Sequence, residues 1–203
     1  MKLKRWETAL MMALCVTVLC GAAVLREQRQ LADRLIRLHV IANSDSEDDQ
    51  ALKLNVRDRV VEELGALLGG VTERGAAMDI ITENMDAIIS AAGGEISARG
   101  YDYGVSAAVG TESFPTREYD TFTLPAGRYE SLRVEIGQAD GQNWWCVVFP
   151  PLCADSADGA KAALDALAAD GISLIADDSS DYKIKFKMLE WMEKARLLFR
   201  KEK

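Results

Sequence analysis

Thr8 to Leu25 is a run of eighteen residues without a charge, and it limits what this chain can be more than any other feature. A helix of about 18 to 20 apolar residues is long enough to cross the hydrocarbon of a bilayer. Lys2, Lys4 and Arg5 precede it as a basic head. A secretory signal has the same plan, with an exit of small residues, and Cys20-Gly21-Ala22-Ala23 is a weak exit of that kind. Residues 1–25 therefore read as a signal peptide or a transmembrane anchor, both open, and residues 26–203 as a single exported domain. The positive-inside rule leaves the head in the cytoplasm, although Arg26 and Arg29 just after the run weaken the asymmetry.

The formal net charge is −8, and the basic head sits outside the exported part, which is more acidic still. A broad nucleic-acid surface needs clustered Lys and Arg, so no nucleic-acid partner is expected. With 49% hydrophobic residues the chain can build a core. One histidine and four cysteines leave little for a His-rich metal site, and no metal or cofactor is expected.

Beyond the leader, Leu35 to Ala42 reads as a strand with Ile36, Leu38, Val40 and Ala42 on one face and Arg37, His39 and Ile41 on the other. Asn43-Ser44-Asp45-Ser46 offers side chains to cap a helix, with Ser44 and Glu47 at capping-box spacing. Leu52, Val56, Val60, Leu64 and Leu67 carry an amphipathic helix to about Leu68, where Gly69-Gly70 stops it. Thr72 opens a second helix that runs to about Ala92 and ends at Gly93-Gly94. The period then changes to two at Tyr101–Val109, Arg117–Thr123 and Tyr129–Ile136. Asp140-Gly141 signals a turn, so Asn143–Phe149 is expected to pair back on the preceding strand, and Pro150-Pro151 ends it. A short helix within Ala154–Gly171, an acidic loop at Asp177–Asp181 and a C-terminal helix within Lys183–Phe199 complete the pass. Strand, two helices, antiparallel sheet and final helix make an α+β fold.

Few residues carry chemistry. Cys146 and Cys153 form a disulfide or stand as two buried thiols, and export favours the bond. A thiol hydrolase would pair one of them with His39, oriented by Asn43 or Asp45, yet neither cysteine has a local nucleophile signature. Asp45, Glu47, Asp48 and Asp49 lack the spacing of an EF-hand and suit a helix start. Trp144 and Trp145 point to opposite faces of a strand, one into the core and the other onto the second face, covered or offered to a partner.

Leu38-His39-Val40-Ile41-Ala42-Asn43-Ser44-Asp45-Ser46, then Asp49-Gln50-Ala51-Leu52-Lys53-Leu54 and Val56-Arg57-Asp58, resembles the stage II sporulation protein R family. Leu124-Pro125-Ala126-Gly127, Leu132 to Gly137, Asn143-Trp144-Trp145-Cys146-Val147-Val148-Phe149-Pro150-Pro151-Leu152-Cys153 and Lys185 to Trp191 agree with it. The resemblance implies a protein made in the forespore and exported to the intermembrane space, secreted or anchored through residues 8–25. There it would signal to a membrane-embedded, aspartic-type protease that processes pro-sigma-E, as a signal and not as an enzyme. It supplies no catalytic residues. Polar loops and aromatic anchors make contacts, so His39, Asn43, Ser44, Asp45, Trp144, Trp145, Pro150 and Pro151 are the expected partner-binding residues. The alternatives are the thiol hydrolase and a cell-envelope binding module.

Overall fold

A computed structural model describes residues 4–119 and 123–151. The expected Ala154–Gly171 and Lys183–Phe199 helices, the acidic loop between them and Cys153 lie outside these residues. In chain order the elements are α1 (Arg5–Ala32), β1 (Ile36–Ile41), α2 (Glu47–Leu67), α3 (Arg74–Glu83) and α4 (Met85–Ala98). They are followed by β2 (Val105–Phe114), β3 (Arg117–Glu118), β4 (Thr123–Leu124), β5 (Gly127–Ile136) and β6 (Asn143–Phe149). The class is α+β, as expected. The described residues fall into two compact units, one of residues 4–31, 114–119 and 123–127, the other of residues 32–113 and 128–151.

In the first unit, α1 is long and apolar enough to cross a membrane. Leu10, Met12, Leu14 and Leu19 stand exposed along it. Its character changes at Val24. Val24, Gln28 and Leu31, spaced four and three apart on one helical face, are buried. The Gln28 side chain packs so closely on Gly127 that a Cβ there would lie 2.7 Å from its Cδ. β3 and β4 pair antiparallel as a two-stranded ribbon.

The second unit is a four-stranded sheet in the order β2-β5-β1-β6, with α2, α3 and α4 over one face. Leu38 and Val40 of β1, Leu132 and Val134 of β5, and Val56, Val60 and Leu64 of α2 meet in the core, with Ile81, Ile88 and Ile96 of the other helices. All six residues of β1 are buried because strands flank it on both sides.

The pairing differs from the expected run of antiparallel strands. β1 pairs parallel with β5 and antiparallel with β6, so the sheet is mixed. β5 and β6 do not form a hairpin, because β1 lies between them. The loop from Gly137 to Gln142 must cross two inter-strand gaps, about 10 Å, over the end of β1. It is held there by bonds from the Asp140 and Gly141 N–H groups to the Asn43 and Ala42 carbonyls, 3.2 and 3.0 Å.

The second helix also departs from expectation. It starts at Arg74 without a side-chain cap, breaks at Asn84, and resumes as α4 straight through Gly93-Gly94. Gly100, at φ +84°, ends it instead. The Gly100 N–H bonds Ser97 O and the Tyr101 N–H bonds Ile96 O. These two bonds satisfy the last carbonyls of the helix as a Schellman motif. Gly93 and Gly94 have no left-handed backbone and no such bonds, so the helix continues through them.

Candidate functional site

The expected partner-binding residues fall into separate places. Asn43, Ser44 and Asp45 form the corner where β1 turns into α2. His39 and Trp145 meet on the helix-free face of the sheet. Trp144 lies on the other face, beside α2. Pro150 and Pro151 follow the far end of β6, roughly 20 Å from Trp144 by strand rise. Trp144 and the prolines therefore stand at opposite ends of β6.

The corner is a hydrogen-bonded hub centred on Asp49, which is buried at 4% exposure. Its carboxylate accepts from Asn43 Nδ2 at 2.8 Å and from Ser44 Oγ at 2.5 Å. The Ser44 bond, with those from Asn43, Tyr103 and Ser46, holds Asp49 below the usual carboxylate range against the cost of its burial. The helix cap is Ser46, whose Oγ accepts from the Asp49 N–H at 3.2 Å, so the expected Ser44–Glu47 box is displaced by two residues. Ser44 points its hydroxyl at Asp49 instead. Asn43 Oδ1 accepts from the Gln138 N–H at 3.0 Å and so ties the crossing loop to the same hub. Lys53, buried beneath, donates to Gln50 Oε1 at 2.6 Å and Gln142 O at 3.0 Å. Burial lowers its ammonium from the usual range. Asp45 is the exposed member of the corner.

On the helix-free face, His39 Nδ1 lies 3.1 Å from Glu112 Oε2 and Nε2 lies 2.7 Å from Asn143 Oδ1. Its ring stacks on Trp145 with centroids 3.9 Å apart and planes at 20°. Burial pushes the Glu112 carboxyl up, but hydrogen bonds from His39 and Ser131, and the charges of His39 and Arg133, hold it below its ordinary value. Arg133 also pairs with Glu135. Arg37, on the same face of β1 as His39, is fully buried and places its guanidinium 5.1 Å from the Tyr129 ring. Glu112, Asn143, Arg37 and Arg133 were missed as a cluster. The signal within reach was Arg37-x-His39, two polar groups on one face of a strand otherwise built for burial.

The arrangement does not form a Cys146–His39 pair. Cys146 is disulfide-bonded, while Cys15 and Cys20 are free. Cys146 opposes Leu38 in the register, on the face away from His39. The His39 ring is engaged by Glu112 and Asn143, not by Asn43 or Asp45. Among the described residues no group of three or more His, Cys, Asp or Glu side chains could hold a metal ion.

Neither tryptophan is fully buried, contrary to the expectation that one enters the core. β6 is an edge strand, so no neighbouring strand covers its outer side. Trp145 is half-buried under its stack with His39. Trp144 is 36% exposed, and the Arg57 guanidinium of α2 lies over its ring at 4.4 Å. Arg57 Nε and Nη2 both donate to Asp58 Oδ1, at 2.8 and 2.6 Å. A tryptophan half in solvent with a guanidinium stacked on it can anchor a binding contact.

A family model described as stage II sporulation protein R matches residues 32–158, from the end of α1 through β6. The chain is 38% identical over 123 residues to the stage II sporulation protein R of Bacillus subtilis (strain 168). That alignment covers 61% of this chain and 55% of the relative, so the chain spans little more than half of the relative's length. No solved structure matches. The matched region contains the Asn43 hub, the His39–Trp145 stack and Trp144, and the chain belongs to the stage II sporulation protein R family.

Proposed function

We propose that this chain is an exported sporulation signal that binds and activates a membrane-embedded, aspartic-type protease, which then processes pro-sigma-E. On this reading it is made in the forespore, delivered to the intermembrane space and does no bond-breaking itself. Family membership and the exposed apolar α1 support the setting. One structural observation favours a binding role over a thiol hydrolase. The candidate nucleophile Cys146 is locked in a disulfide, and the candidate base His39 is held by Glu112 and Asn143 on the opposite face.

Exposure then divides the expected contact residues. His39, Asn43 and Ser44 serve the fold through their bonds. Trp144, Asp45 and Pro151 are exposed and open to a partner. Activation follows if the bound state of the protease is its cleaving arrangement, since a ligand shifts an equilibrium by its differential affinity for the two states. The test is co-production of this chain, its cognate protease and tagged pro-sigma-E in a bacterium that does not sporulate. Cleavage dependent on this chain is expected. Equal cleavage with and without it, with the folded chain exported, overturns the reading.

A further inference from the structure

A leader that is removed and an anchor that stays make different demands on α1. A removable leader has an apolar centre of about 7–15 residues and then an exit of small residues. A membrane span needs about 17–25 residues. The uncharged run from Thr8 to Leu25 has eighteen, past the first range and inside the second. Nor does the helix break at the exit. α1 runs unbroken through Cys20-Gly21-Ala22-Ala23 to Ala32, whereas a peptidase cuts extended backbone.

The ends of the run are marked as well. Arg5 and Trp6 stand exposed at one end, and Arg26 and Arg29 at the other. Trp6 to Arg26 is about 30 Å along a helix, the thickness of the bilayer hydrocarbon. A tryptophan ring sits at the level of the lipid headgroups, and an arginine keeps its charge there while its stem lies along apolar surface. Between these ends every large apolar side chain from Leu10 to Leu19 is 57–69% exposed, so the stretch is uncovered.

The last two turns of α1 belong to the fold instead. Val24, Gln28 and Leu31 are buried, and Gln28 fills the space that Gly127 leaves. A cut after Ala23 would leave nine helical residues with a new ammonium at their positive end.

The structure assigns α1 as a retained transmembrane anchor. Residues 8–25 cross the hydrocarbon of a phospholipid bilayer, Trp6 and Arg26 mark its two surfaces, and Gln28 fastens the emerging helix to Gly127. On the activation reading, the signal then acts from the membrane of the cell that makes it and does not diffuse. The anchor itself does not depend on that reading.

The test uses the full chain with a C-terminal tag, produced in a bacterium that has signal peptidase. Intact mass and alkaline carbonate extraction show whether α1 stays. Cys15 and Cys20, free thiols within the span, show where it lies. The expected result is the uncut mass in a carbonate-resistant pellet. In sealed spheroplasts both thiols should be closed to a membrane-impermeant maleimide and open to it only in SDS, while Arg29→Cys labels from outside. A product that begins between Gly21 and Leu25 overturns the anchor. So does an uncut chain that carbonate releases, one whose Cys15 and Cys20 label as readily as Arg29→Cys, or an Arg29→Cys that labels only after lysis. None of these measurements involves pro-sigma-E, so the anchor and the signalling reading fail separately.

Discussion

Gly137→Ala tests the hub at the end of β1 where it is tightest. Gly137 sits at φ +58°, a left-handed conformation that costs a residue with a side chain about 1–2 kcal/mol. The new Cβ would fall on Asn43 Oδ1, 2.8 Å from Asn43 Cγ and 3.1 Å from its Cβ. Carbon contacts are comfortable at about 3.5–4.0 Å, and three successive atoms are too close for the side chain to swing only its tip. Asn43 must leave. It then loses its bond to the Asp49 carboxylate, worth about 1.5–3 kcal/mol, and the bond from the exposed Gln138 N–H, about 0.5–1 kcal/mol. Together the substitution should cost about 3–6 kcal/mol. Asn43→Ala alone removes the two bonds and should cost about 2–4 kcal/mol by the same values. In the double variant only the Cβ of residue 43 remains of the clash, at 3.1 Å, so little beyond the backbone cost is added to the lost bonds. The double variant should therefore fall short of the sum of the singles by about 2–4 kcal/mol, a large coupling for two residues in contact. Urea denaturation of the full chain in detergent micelles, followed by tryptophan fluorescence, measures all three. Additivity within about 0.5 kcal/mol would refute the claim that Gly137 is required by Asn43.

Other parts of the fold make their own predictions. Gly94→Ala should raise stability by about 0.5–1 kcal/mol, since a Cβ there meets nothing within 4 Å inside a continuous helix; a lowered melting temperature would show that the helix needs glycine at this point. His39→Phe keeps an aromatic ring to stack on Trp145 but removes both ring nitrogens from Glu112 and Asn143, and should cost about 1–3 kcal/mol in the same denaturation assay. An unchanged midpoint would mean that the two polar contacts contribute nothing. Asp49 and Glu112 both have folded pKa values below their ordinary 3.8 and 4.5. Their stabilisation is present above those ordinary values and is lost as pH falls through the folded ones. The urea midpoint should therefore drop on acidification below about pH 4, with a shallower drop in Asp49→Asn and Glu112→Gln. Equal slopes in the wild type and both variants would count against the hub and the His39 cluster as sources of that stability.

Much of the fold is legible in the sequence because it is written in local periodicity. The apolar faces of β1 and α2 follow from spacing alone, since burial on one side of a helix or strand imposes its period on the chain. What spacing does not carry is partner choice between strands. Asp140-Gly141 is a fair turn signal, and a turn signal between two strands suggests a hairpin. Here the turn straddles β1, more than ninety residues earlier in the chain, and no local pattern announces a third strand inside a loop. The same limit explains the helix ends. Gly69-Gly70 follows the end of α2 at Leu67, with Gly70 turning the chain at φ +81°, whereas α4 runs on through Gly93 and Gly94, neither of which takes a left-handed backbone. Backbone conformation, not composition, decides which glycine ends a helix.

The site follows the same logic. Asn43, Ser44 and Asp49 stand out in sequence as helix-start chemistry, and the structure makes them the hub, with the cap two residues further on. The His39 cluster draws its members from four strands, with Glu112 and Asn143 lying 73 and 104 residues from His39. Assembly by topology of that kind leaves only Arg37-x-His39 as a trace in the sequence.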